Sequence, residues 1–107
     1  MALYERRTYT LQVGAMGEAV KLYRDQGWPA MVKGGFAEKN RGYFISDVGT
    51  LHQLVHLWKF EDDADRRDFW KRLFADADFM AFAGKLRPLI ITQEIQLLLP
   101  APWGNHP

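Results

Sequence analysis

The chain has 107 residues, 48% of them apolar and 14% aromatic. That excludes a disordered segment and supplies one core, with more apolar surface than a small monomer hides, so a partner subunit is expected. With 14 basic and 13 acidic residues the net charge is +1, too balanced for a nucleic-acid or anionic-membrane partner, and without cysteine there are no disulfides, thiolate metal sites or cysteine nucleophiles.

Met1 to Arg7 reaches charged residues at once and shows neither a signal core nor a transit peptide. Leu3 to Val13 reads as the first strand. Its odd positions are Leu3, Glu5, Arg7, Tyr9, Leu11 and Val13, its even ones Tyr4, Arg6, Thr8, Thr10 and Gln12, and neither face is plainly the dry one. From about Ala15 the period turns helical, with Met16, Val20 and Tyr23 on one face. Pro29 predicts a kink or restart, since it has no amide hydrogen, and Ala30 to Lys33 read as the last turn, closed by Gly34-Gly35.

Arg41 to Asp47 is the second predicted strand, with a bulge at Gly42, and Asp47 to Leu51 the turn, with Gly49 at positive φ. His52 to Phe60 is the third strand. Its even face carries His52, Leu54, His56, Trp58 and Phe60, its odd face Gln53, Val55, Leu57 and Lys59, and both are expected to be largely covered. Asp62 and Asp63 suit the cap of a second helix, whose pairs Phe69–Leu73 and Trp70–Phe74 form a wide apolar face. Arg66 and Arg67 read as part of its solvated side. A short third helix follows, capped by Asp76 or Asp78 and ended by Gly84. Pro88 opens the last strand, Leu89 to Leu99, and Pro100 to Trp103 read as an extended tail. The apolar run Leu97–Leu99 is far short of a membrane span, so a soluble cytoplasmic protein without a membrane partner is expected.

The order β-α-β-β-α-β, with a short extra helix, is the ferredoxin-like α+β arrangement: a four-stranded antiparallel sheet with both helices on one face. It reads as one domain over residues 1–107, with the core at about 3–99 and a tail at 100–107. The second sheet face also needs cover, which two sheets packed face to face in a homodimer supply.

The stretches Tyr4-Glu5-Arg6-Arg7-Thr8-Tyr9, Gly42-Tyr43-Phe44, Val55-His56-Leu57-Trp58, Leu86-Arg87-Pro88-Leu89 and Leu99-Pro100-Ala101-Pro102 resemble the NIPSNAP family in content and order. The histidine-leucine-tryptophan strand and the closing leucine-proline-alanine-proline are the most specific. The resemblance implies a dimeric α+β barrel of the short, single-domain bacterial type and no established chemistry. Two positions depart from the family pattern: Arg6 stands where leucine is usual, and His52 where asparagine is usual.

His56 is the foremost chemical candidate. On an interior strand between Leu54 and Trp58 it is costly unless hydrogen-bonded. It reads either as a paired core histidine or as a general acid or base. His52 and His56 share a face but stand about 13 Å apart along a strand, too far to ligate one metal. Glu5, Arg7 and Tyr9 form an odd trio for a central strand. Arg7 suits a substrate carboxylate, or pairs with Glu5 or Glu94; pairing is the commoner fate of a buried charge. Tyr43 and Trp58 are candidate pocket walls, and Trp28, Trp70, Phe69, Phe74, Phe79 and Phe82 line a cavity or simply fill the core.

The loop Gly14–Gly17 lacks the third glycine and the Lys-Ser/Thr of a phosphate loop, and no cofactor or metal motif is present, so none is expected. RNA-recognition domains share the element order, but His52–Phe60 lacks their basic-aromatic signature. Two functional readings remain. One is a small-molecule-binding barrel, enzyme or not, holding an apolar or anionic molecule at Arg7, Tyr9, Tyr43, His56 and Trp58. The other is a non-catalytic dimeric interaction or regulatory module without a pocket.

Overall fold

The computed structural model describes residues 2–107. Strand β1 (Leu3–Leu11) leads through a turn at Gly14 into helix α1 (Met16–Leu22), a π-helical turn (Tyr23–Gly27) and helix α2 (Trp28–Lys33). Strands β2 (Asn40–Ile45) and β3 (Gln53–Phe60) form a hairpin. Helices α3 (Asp63–Phe74) and α4 (Ala77–Leu86), a short 3₁₀ turn (Arg87–Leu89) and strand β4 (Ile90–Leu98) complete the chain. The sheet is four-stranded and antiparallel in the order β2-β3-β1-β4. The helices cover one face, which is the expected ferredoxin-like α+β fold.

Local chemistry accounts for most boundaries. Pro29 offers no N–H to the carbonyl four residues back, and just ahead of it the helix widens: Trp28 donates its N–H to Tyr23 O, five residues back. Gly35, at φ 78°, closes α2. Asp62 accepts from the Asp65 N–H at 2.8 Å and Asp76 from the Phe79 N–H at 2.9 Å, capping α3 and α4. The β2–β3 register shifts between Asn40 and Gly42, the predicted bulge, where the Phe44 ring packs over the bare Cα of Gly42. Gly49 takes φ 90° in the turn.

Several expectations are corrected. Gly84 does not end α4, which continues to Leu86 because Phe82, Ala83 and Leu86 are all buried. Pro88 lies in the 3₁₀ turn and β4 starts only at Ile90. Strand β1 stops at Leu11, leaving Val13 exposed. Residues 100–107 are not a free extended tail: Gly104 turns at φ 82°, and Tyr4 donates its hydroxyl to Pro107 O at 2.6 Å. His52 is the one non-glycine residue at positive φ among those described, at 62°. Asparagine and histidine tolerate that conformation better than most, so backbone geometry accounts for this position.

The core lies between sheet and helices. Trp58, Phe60, Phe69, Leu73, Phe82 and Leu11 are almost fully excluded from solvent. On the opposite sheet face Val55 and Leu57 are only half-buried, and Phe44 is exposed within the single chain.

Candidate functional site

Antiparallel register sets side chains in cross-strand rows, since directly opposed residues share a face. Three successive rows on the helix side carry the candidate residues. Tyr43, His56, Arg7 and Ile95 form one, on β2, β3, β1 and β4. Ile45, Leu54, Tyr9 and Gln93 form the next on one side, and Asn40, Trp58, Glu5 and Leu97 on the other. The fold thus brings Arg7, Tyr9, Tyr43, His56 and Trp58 together.

Glu5 is fully buried and is the hub. Its carboxylate accepts from Arg7 Nη1 at 3.1 Å, Arg66 Nη1 at 2.9 Å and Trp70 Nε1 at 3.2 Å. Arg7 therefore pairs with Glu5. Glu94 stands opposite Thr8, on the other face of the sheet. Arg66, expected on the solvated side of α3, is instead drawn inward by Glu5, because a buried carboxylate needs more than one cationic or N–H partner; Arg67 stays outside on Asp63 at 2.7 Å. Arg66 also reaches Asp63 at 3.0 Å. Three guanidiniums, Arg7, Arg66 and Arg67, thus surround two carboxylates, Glu5 and Asp63. The Arg7 guanidinium lies 4.3 Å from the Trp70 ring centre, a cation–π contact, yet its buried Nε has no hydrogen-bond partner.

His56 is held between rings: stacked on Tyr43 at 4.9 Å and edge-on to Tyr9 at 4.9 Å. Trp58 Nε1 donates to His56 Nδ1 at 2.6 Å. An indole N–H only donates, so Nδ1 is the acceptor and the imidazole proton sits on Nε2, which is buried without a partner. Burial, reinforced by the nearby Arg7 charge, lowers the His56 pKa from 6.5 to about 3. At neutral pH this shift keeps the imidazole neutral, with one N–H at Nε2. Burial likewise pushes the phenols of Tyr9, Tyr23 and Tyr43 upward, so all three stay neutral.

Two hollows adjoin this cluster. An inner cavity of about 100 Å³ lies between β1, β4 and α4, with Arg7, Tyr9, Tyr23, Phe82, Arg87 and Gln93 among its lining residues. An outer cleft of about 460 Å³, mostly apolar, is bounded by Val20, Tyr23, Trp28, Tyr43, Ile45 and Leu54. Of the expected site residues, Arg7 and Tyr9 line the first and Tyr43 the second; His56 and Trp58 lie behind these walls. Of the aromatic residues considered for a cavity, Phe74, Phe79 and Phe82 line the inner one and Trp28 the outer, whereas Trp58, Phe69 and Trp70 pack against one another, tilted or edge-on. Sequence reasoning missed Tyr23, Arg87 and Gln93; only Arg87 carried a signal, in the Leu86-Arg87-Pro88-Leu89 motif. The described residues contain no cluster of three His, Cys, Asp or Glu placed to hold a metal ion.

The NIPSNAP family model matches residues 4–105. The chain belongs to the NIPSNAP family. A NIPSNAP family protein of Agrobacterium tumefaciens is 31% identical and superposes with a TM-score of 0.89, covering 96% of this chain and 89% of that one. A second structure from that organism, a NIPSNAP family protein with unknown function, is 33% identical at a TM-score of 0.88, over 96% and 91% of the two chains. Protein NipSnap homolog 2 of Danio rerio is 28% identical over 92% of this chain and 33% of its own length. The chain spans a third or less of the curated relatives it matches. No helix among the described residues of this NIPSNAP chain is long and apolar enough to cross a membrane.

Proposed function

We propose that this NIPSNAP chain binds a small anionic, partly apolar molecule in the cavity between sheet and helices, with Arg7 as the anion holder. One observation carries this reading: a buried guanidinium at an aromatic-lined cavity, with its Nε unpartnered. Buried donors are normally satisfied, so an orphan beside a cavity suits a ligand. Arg87, on the cavity wall, adds a second positive charge. Tyr9 and Tyr43 serve as walls, and His56 and Trp58 hold those walls in register. The alternative, a module without a pocket, fits the two hollows less well.

Benzoate is the probe of choice, being planar, anionic and apolar on one side. It is expected to raise the melting temperature and to give a calorimetric binding isotherm. Arg7→Lys, which keeps the charge but loses the planar fork, should weaken binding at least tenfold. A series of small carboxylates and phosphate that leaves both readouts unmoved would end this proposal.

The working unit in this reading is a homodimer made by sheet-to-sheet packing. The support is the half-buried Val55 and Leu57 with the exposed Phe44 on the open face. Light scattering coupled to size exclusion should give twice the chain mass, and Val55→Asp should halve it with an unchanged circular-dichroism spectrum. A wild-type monomer at micromolar concentration refutes the pairing.

A further inference from the structure

The inner cavity and the outer cleft are complementary in what they lack. The inner cavity has the Arg7 guanidinium, paired with Glu5 but with its Nε–H unpartnered, yet at about 100 Å³ it is smaller than ligand pockets generally are. The outer cleft has volume and apolar walls at Trp28, Tyr43 and Leu54, but its one charged lining residue, Arg24, is spent on Asp25 at 2.9 Å. A single side chain, Tyr23, belongs to both linings. Its ring stands edge-on to Phe82 at 4.8 Å on one side and tilted against Tyr43 at 5.3 Å on the other. It projects from the π-helical turn, an irregularity frequent at functional sites.

We infer that the two hollows are halves of one binding site for an apolar carboxylate, divided by the Tyr23 ring. The carboxylate sits against the Arg7 guanidinium, whose planar fork matches it. The apolar body passes Tyr23 into the outer cleft between Trp28 and Tyr43. Joined, the hollows offer more than about 500 Å³, within the usual range for a small-molecule pocket. This inference rests on the anion-binding role of Arg7 proposed above and adds the ligand class: a carboxylate with a linear or flat hydrocarbon body, longer than the inner cavity can hold.

The test titrates the intact chain with acetate, butyrate, hexanoate, octanoate and decanoate below their micellar concentrations, with 1-octanol as the uncharged match. Calorimetry gives affinity, and tryptophan fluorescence reports the cleft through Trp28. Affinity should rise roughly three- to fourfold per methylene once the hydrocarbon body enters the cleft, and octanol should bind at least tenfold more weakly than octanoate. Tyr23→Leu, which removes the partition, should tighten octanoate at least fivefold. Ile45→Trp places bulk at an exposed position on the cleft wall, where it does not threaten folding, and should bring octanoate down to the level of acetate. If carboxylates bind through Arg7 but chain length and both variants change nothing, the divided site is wrong and the anion-binding role stands. If no carboxylate binds to wild type or variant, both fall.

Discussion

Acidification should destabilise this chain through His56. The imidazole is buried, its Nδ1 already accepts from Trp58, and its pKa falls from 6.5 to about 3, chiefly through burial and secondarily through Arg7. The unfolded chain, with an ordinary histidine, binds the proton first. Stability from this group is therefore complete above about pH 6.5 and is lost as pH falls toward 3. Each pH unit inside that window costs about 1.4 kcal/mol. Between pH 8 and pH 4.5 the loss comes to about 3 kcal/mol, a large part of what a domain of this size has in reserve. The aspartates with lowered pKa values, Asp63 and Asp65, contribute to acid unfolding at lower pH still, so the informative quantity is a difference. Urea unfolding of wild type and His56→Gln, whose amide oxygen can still accept from Trp58, isolates the histidine. The stability gap between the two should shrink by about 3 kcal/mol from pH 8 to pH 4.5. A gap that stays constant across this range would mean that His56 takes up its proton in the folded state, and the burial argument would fail. Imidazole nitrogen shifts give an independent readout: they should mark the Nε2–H tautomer and stay still from pH 8 to pH 5.

Other consequences are equally direct. Glu5→Gln leaves Arg7 buried without its carboxylate and should cost about 3–5 kcal/mol in urea unfolding; a loss below about 1 kcal/mol would show that solvent already screens the pair. Gly27 packs against Phe82, whose ring would lie 2.6 Å from an added Cβ. Gly27→Ala gains helix propensity worth about 1 kcal/mol but overpacks at a cost of about 1–3 kcal/mol, so thermal melts should show a net loss. At His52, φ 62° predicts that substitution by valine costs about 1–2 kcal/mol while glycine is neutral or gains slightly, measurable in the same unfolding assay.

The sequence by itself determined the order of elements, the alternation of β3 and the helix starts. These are local matters: a period-two run of Leu54, His56, Trp58 and Phe60 has only one way to bury its apolar face, and Asp62 or Asp76 caps the first N–H groups that follow it in the chain. The candidate cluster was legible for a related reason: Glu5, Arg7 and Tyr9 alternate on one strand, and polar residues on a central strand stand out against packing. Only the tertiary structure decided which partners those charges took. Arg66 is 61 residues from Glu5 and reads like any solvated helix arginine; it turns inward because α3 packs on the helix side of the sheet, within reach of Glu5, and the buried carboxylate needs a second cation. Likewise Tyr23 reads as one more residue on an apolar helical stripe. It becomes the wall between two hollows only because Pro29 and Gly27 shape a π turn that lies against α4. Local patterns record which face a residue occupies; what stands across from it is set by packing between segments far apart in the chain.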